Sequence, residues 1–233
     1  MIREAIILAG GLGTRLRSAV PDLPKCMAPV AGKPFISYVI DYFAQQGIGR
    51  FIFSLGYKHD IIEQYLDQAY PALIYDCSVE EEPLGTGGAI QKACGLALER
   101  DTLVLNGDTF FSVSLKGFSD FHQGHKANCS LSLKPMQNSD RYGVVELNAD
   151  QSVKKFKEKQ FYAQSLINGG VYALNREKFL QEHLPLKFSF EKDYLEALFS
   201  SRKIYGLSAD EYFIDIGIPE DLEKAQWELP DHL

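Results

Sequence analysis

The stretch Ala5-Ile6-Ile7-Leu8-Ala9-Gly10-Gly11-Leu12-Gly13-Thr14-Arg15-Leu16, with Pro24-Lys25 shortly after it, decides the fold. Ala5 to Ala9 is a short apolar run that reads as a buried strand, and it breaks into a loop with three glycines and a cation. Glycine lets backbone N–H groups close on an anion with no Cβ in the way. Arg15 brings a planar fork of donors matched to phosphate oxygens, and Lys25 adds a compact charge. Strand, loop and cations together describe a polyphosphate cradle. It is not a P-loop, because no Gly-Lys-Ser or Gly-Lys-Thr follows at the required spacing. It is not a dinucleotide fingerprint either, since Gly10-Gly11-Leu12-Gly13 lacks the G-x-G-x-x-G spacing.

Working outward, strand and helix patterns alternate. Strands are expected at Ala5–Ala9, Arg50–Leu55, Ala72–Asp76 and Thr102–Asn106, and helices at Phe35–Gln46, Lys58–Gln68 and Gly88–Glu99. This rhythm predicts an α/β fold with a doubly wound, Rossmann-like, mostly parallel sheet. Ligands in such a sheet sit at the carboxyl ends of the strands, where the glycine loop and Asn106-Gly107-Asp108 fall. The second half is richer in strands, at Asn128–Lys134, Gly143–Leu147 and Ile167–Leu174, and predicts a β-rich insertion over the open edge of the first half. Helices return at Glu191–Ser200 and Pro219–Glu228, the latter opened by Pro219 with two acids behind it. No C-terminal β-helix is expected. One domain over 1–233 is expected, with a nucleotide-binding half (1–127) and a sugar-phosphate half (128–233).

The chain has 233 residues, ample for a full core, with 45% hydrophobic and 24% charged residues. A formal net charge of −7 argues against nucleic acid as a partner, so an anionic substrate needs a local cluster of cations, for which Arg15, Lys25 and Lys159 are candidates. Cys26, Cys77, Cys94 and Cys129 form no C-x-x-C pair, which argues against a zinc site or a disulfide framework and suits a reducing cytosol. Cys26 beside Lys25 reads as a plain buried thiol. No apolar run approaches a membrane span and no signal peptide is read, so a cytoplasmic location without membrane partners is expected. Phe110, Phe111 and Trp227 look exposed and are candidates for a homo-oligomeric interface.

Asp108 stands at the end of an apolar strand run, and Asp215, in Tyr212-Phe213-Ile214-Asp215-Ile216-Gly217, repeats the arrangement. Mg²⁺ bound with substrate phosphates typically takes one or two protein carboxylates, so the pair reads as a metal site. Glu80-Glu81-Glu82-Pro83-Leu84-Gly85-Thr86-Gly87-Gly88 is a second glycine-rich element. Two of its three carboxylates read as a solvated turn; one buried glutamate would match the paired N–H donors of guanine. Phe156-Lys157-Glu158-Lys159 and Asn168-Gly169-Gly170 carry little alone, because an exposed Glu-Lys pair is worth little.

As an ordered set, these motifs resemble the sugar-1-phosphate nucleotidyltransferases over nearly the whole chain. The matching segments are LAGGLGTRL, Pro24-Lys25, EPLGTGGAI, Asn106-Gly107-Asp108, Tyr142-Gly143, Glu158-Lys159, Asn168-Gly169-Gly170 and the final Asp-Ile-Gly. Within that family the chain looks most like the short bacterial D-glycero-α-D-manno-heptose-1-phosphate guanylyltransferases, which serve capsule or S-layer glycans. The resemblance implies GTP and a sugar 1-phosphate as partners and Mg²⁺ as cofactor. It implies that Leu8, Ala9, Gly10, Gly11, Gly13 and Thr14 bind the nucleotide, with Arg15 on its β- and γ-phosphates and Lys25 near the α-phosphate. Glu80 would read the base, or Glu82 if the register slips by two, with Gly85 and Thr86 alongside. Asp108 and Asp215 would hold Mg²⁺. Gly143, Glu158, Asn168 and Gly169 would face the sugar, and Lys159 its phosphate. Mannose 1-phosphate with GTP, or an amino-sugar phosphate with UTP, are the alternatives within the family. A non-catalytic sensor domain is the alternative outside it, and it would be expected to have lost Lys25, Asp108 or Asp215.

Overall fold

Ala5, Ile6 and Ile7 are fully buried, as a strand apolar on both sides requires when both sheet faces are covered. The computed structural model describes residues 1–11, 16, 20–158 and 160–232. Gly13, Thr14, Arg15 and Lys159 lie outside the described residues. The elements in chain order are β1 (Glu4–Leu8), β2 (Pro29–Val30), β3 (Lys33–Pro34), α1 (Phe35–Gln45), β4 (Arg50–Leu55), α2 (His59–Ala69) and β5 (Tyr75–Val79). Then come α3 (Gly85–Cys94), β6 (Asp101–Asn106), β7 (Thr109–Phe111), α4 (Leu115–Gly124), β8 (Cys129–Ser139), β9 (Val144–Leu147), β10 (Val153–Lys157) and β11 (Tyr162–Asn175). The chain closes with α5 (Arg176–Leu180), a π-helical turn (Phe190–Glu196), β12 (Ile204–Ser208), β13 (Phe213–Asp215) and α6 (Pro219–Glu228).

β5, β4, β1 and β6 lie side by side and parallel. β11 joins antiparallel at the edge of β6, β8 runs antiparallel to β11, and β12 runs parallel to β8. β9 and β10 extend from the early part of β11. The expected α/β class with a largely parallel centre is therefore observed. The β-rich half prolongs the same sheet at its edge instead of lying over it, because β6 keeps a free row of backbone donors and acceptors there that only another strand satisfies. The cores follow strand alternation: Ile7, Phe51, Phe53, Leu103 and Leu105 face α1, α2, α4 and α6, while Ile6, Ile52 and Val104 face α3, α5 and the π-helical turn.

Departures from the expected elements have local causes. The third strand starts at Tyr75 because a turn closed by Leu73 N–H on the Tyr70 carbonyl (3.0 Å) takes up Pro71 and Ala72. α3 begins at Gly85, three residues early, because its first turn is held from outside by Phe188, whose carbonyl accepts the Gly87 N–H at 3.0 Å. Phe110 and Phe111 are buried, which corrects the reading of both as exposed; they pack inward from β7, and Trp227 alone of the three is exposed, at 79%. Of the cysteines, Cys26, Cys94 and Cys129 are buried and Cys77 half-buried, and all four are free thiols. No described helix is long and apolar enough to cross a membrane.

Candidate active site

Three chain segments meet at the carboxyl ends of β1 and β6. Leu8 and Asn106 are register partners, and the Gly107 N–H donates to the Leu8 carbonyl at 2.9 Å. A Cβ on Gly107 would lie 2.6 Å from that same oxygen, so only glycine lets the two strand ends close up. Asp108 follows directly. β13 pairs antiparallel with β7, setting Asp215 opposite Thr109, and the Ile216 N–H donates to the Asp108 carbonyl at 3.1 Å. That short ribbon brings two aspartates 107 positions apart to one spot.

Lys25 completes the spot from a 3-10 turn, Lys25–Met27, launched by the extended Pro24. Its Nζ lies 2.5 Å from Asp108 Oδ2 and 3.6 Å from Asp215 Oδ1. Burial pushes the Asp215 carboxyl above its ordinary pKa, and the Asp108 charge adds to that; Lys25 and a backbone bond at Gly217 act the other way. Asp215 Oδ1 is buried and has no hydrogen-bond partner among the described residues. Two converging hard oxygen donors, one of them unsatisfied, fit a divalent cation. No group of three or more His, Cys, Asp or Glu among the described residues forms a cage by itself. The remaining ligands would be phosphate and water oxygens. Burial and Asp108 push the Cys26 thiol up to about 12, so the neighbouring cysteine is an inert apolar wall.

Leu8, Ala9, Gly11, Lys25, Asp108 and Asp215 line one cavity of about 720 Å³, large enough for a nucleotide with part of a second ligand. Gly10 lies beneath Glu80: a Cβ there would be 3.3 Å from Glu80 Oε1. The other Glu80 oxygen accepts the Leu84 N–H at 2.8 Å, so Glu80 is half-buried and folded over the glycine loop, whereas Glu82 is exposed. Gly85 and Thr86 form the first turn of α3, and the space a Gly85 Cβ would need is taken by the Phe188 carbonyl, 2.5 Å away. Gly10, Glu80, Glu82, Gly85 and Thr86 stand outside this cavity's lining, as do Gly143, Glu158, Asn168 and Gly169. Glu158 is exposed just beyond β10, and Asn168 is turned onto its own strand, accepting the Gly170 N–H (3.1 Å) and donating to Tyr172 Oη (2.8 Å).

Two charged lining residues escaped the sequence reading. Arg141 donates to Asp221 Oδ2 at 2.7 Å; its signal was adjacency to the Tyr142-Gly143 pair. Tyr142 itself lines the cavity, and burial with the Asp215 charge pushes its hydroxyl up to about 12, so it stays protonated. Glu191 is the other, and no spacing pattern points to it.

Known proteins resemble this chain in sequence and fold. The family model described as Nucleotidyl transferase matches residues 4–232. D-glycero-alpha-D-manno-heptose 1-phosphate guanylyltransferase of Aneurinibacillus thermoaerophilus is 50% identical over 230 residues, covering 99% of this chain and 100% of that protein. The Campylobacter jejuni protein of the same name is 42% identical, covering 94% of this chain and 96% of its own. Among solved structures, HddC from Yersinia pseudotuberculosis is 37% identical with a TM-score of 0.87, covering 97% of this chain and 98% of that one. Its complex with GMP-PN gives 0.86 at 36% identity, with the same coverage. The match runs end to end and bears out the resemblance carried by the motifs: the chain belongs to the nucleotidyl transferase family.

Proposed function

We propose that the protein transfers GMP from GTP to D-glycero-α-D-manno-heptose 1-phosphate, giving GDP-heptose and pyrophosphate. The observation that carries this reading is Lys25 set between Asp108 and Asp215 at the mouth of the glycine loop, in a chain half identical over its full length to a protein of that name. An oxygen of the sugar phosphate attacks the α-phosphorus of GTP in line, and the bond from that phosphorus to the bridging oxygen of the leaving pyrophosphate breaks. A phosphate monoester near neutral pH is already a nucleophile, so no general base is needed. The work is to bring two polyanions together and stabilise the charge that builds up.

Lys25 serves the α-phosphate, Arg15 the β- and γ-phosphates, and Lys159 the sugar phosphate. Glu80 accepts from the guanine edge. Asp108 and Asp215 would hold Mg²⁺, which would supply charge neutralisation on the phosphates. A cytoplasmic location fits both substrates, and the product suits the assembly of capsule or S-layer glycan. The test is pyrophosphate release in magnesium, crossing GTP, UTP, CTP, ATP and dTTP with heptose, mannose, glucose and amino-sugar 1-phosphates. Release with GTP and the heptose phosphate is expected. Release with mannose phosphate instead keeps the mechanism and discards the sugar, preference for UTP discards the base reading, and none at all from folded protein favours a sensor domain.

A further inference from the structure

Thr86 belongs to the second glycine-rich element of the nucleotide half, yet its hydroxyl is wholly committed to the other half of the chain. It donates to Glu191 Oε2 at 2.7 Å and accepts the Phe190 N–H at 2.9 Å. Glu191 Oε2 also accepts from Ser189 Oγ at 2.9 Å, and Ser189 Oγ accepts the Lys192 N–H at 3.2 Å. Around this chain of bonds the backbones are clasped: Phe188 N–H donates to the Leu84 carbonyl and Gly87 N–H to the Phe188 carbonyl, both at 3.0 Å. The glycines serve the clasp, for a Cβ on Gly85, Gly87 or Gly88 would collide with Phe188 or with the Leu186 carbonyl. Glu80, at the other end of the same loop, is fixed by the Leu84 N–H.

We infer that Glu191 is a positioning residue for the nucleotide: by holding Thr86 it sets the Glu80–Thr86 loop in the geometry that reads the base. The inference rests on the reading of that loop as base-binding and adds a residue to it. The bond from the exposed Thr86 to the Glu191 carboxylate is charge-assisted, and a π-helical turn such as Phe190–Glu196, rare in itself, is frequently found at functional sites. Glu191 also lines the cavity shared with Asp108 and Tyr142, so it sits where a loosened loop would be felt by the bound ligand.

The test measures GTP and ATP dissociation constants by calorimetry without sugar phosphate, and KM for the sugar phosphate by pyrophosphate release. The variants are Glu191→Ala, Glu191→Gln, Thr86→Val and Thr86→Ser. Glu191→Ala is expected to weaken GTP binding about tenfold and to narrow the GTP-over-ATP preference, the scale of one lost charge-assisted bond. The sugar-phosphate KM stays within about twofold. Thr86→Val gives the same loss, the Glu191→Ala/Thr86→Val double variant loses no more than either single one, and Glu191→Gln and Thr86→Ser, which keep a hydrogen bond, retain most of the affinity. An unchanged GTP-to-ATP ratio, additive losses, or a rise confined to the sugar-phosphate KM overturns the inference; the last would make Glu191 a reader of the sugar. Wild-type protein that prefers another base refutes the guanine reading separately, and the same ratio is then taken on the preferred base.

Discussion

Lys25 faces two carboxylates at 2.5 and 3.6 Å, and the three side chains divide their labour by environment. Asp215 bears the larger burden, since burial and the Asp108 charge both disfavour its ionised form. A carboxyl whose pKa is raised on folding lowers stability wherever it is charged, which includes neutral pH. Asp215→Asn is therefore expected to raise Tm in EDTA at pH 7 by about 2 °C, the equivalent of about 0.5–1 kcal/mol in a protein of this size. A fall in Tm would show that the attraction to Lys25 outweighs burial. Asp108→Asn and Asp215→Asn should each cut kcat on the order of 10²–10³-fold, the scale of losing one preorganised electrostatic group. An Asp108→Asn enzyme with near-normal turnover in magnesium would remove Asp108 from the metal assignment. Both aspartates were legible in the sequence because each ends an apolar strand run. Glu191 was not: its partner Thr86 is 105 positions away, and a glutamate opening a helical segment looks like any other first-turn acid.

At the scale of elements, the ends of β1 and β6 are the joint on which the site turns. Gly107 lies against the Leu8 carbonyl with no room for a side chain, so Gly107→Ala must spread the two strands at the point where Asp108 departs. Overpacking of this kind typically costs about 1–3 kcal/mol, and a shift of about 1 Å in a positioning group is enough to cost about 10²-fold in rate. Gly107→Ala should thus fold with a lowered denaturation midpoint and lose turnover far beyond its loss of stability; normal kinetics would show that the joint has slack. Strands apolar on both faces, such as Arg50–Leu55, were readable to the residue because their composition follows from burial alone. β7, α4 and β12 were not. Thr109–Phe111 is too short for a pattern, and Leu115–Gly124 carries glycines that weaken a helical reading although Ser114 caps it by accepting the Gly117 N–H at 3.2 Å. The π-helical turn was read as an ordinary helix, since the pattern of apolar residues does not report an i→i+5 ladder.

Across the whole molecule, the two halves share one sheet and both cores, joined along the seam between β6 and β11. The seam is pinned near the site, where Gly170 at φ +73° leaves no space for a Cβ beside Asn106, and at the far end by Asp101. Asp101 is buried beside its register partner Asn175, whose Nδ2 donates to it at 2.9 Å. Arg100 pairs with it at 2.7 Å, and His122 Nε2 lies 3.7 Å away. Burial opposes the Asp101 charge, yet His122 and Arg100 outweigh it and hold the carboxyl well below the usual carboxylate range. A depressed folded pKa gives stability that is complete above the unfolded value, about 3.9, and is lost as pH falls below it. Asp101→Asn should therefore cost about 1.5–3 kcal/mol at pH 7, as a buried charged partner is lost from β6, β11 and α4 together. By urea denaturation the gap between wild type and variant should be at least as large at pH 5 as at pH 7 and narrow only below about pH 4. Since one sheet crosses the seam, both proteins should unfold in a single transition. A gap that closes between pH 7 and pH 5 would place the titrating group elsewhere, and a variant that melts in two steps would show that the halves are held together by Asp101 more than by the shared sheet.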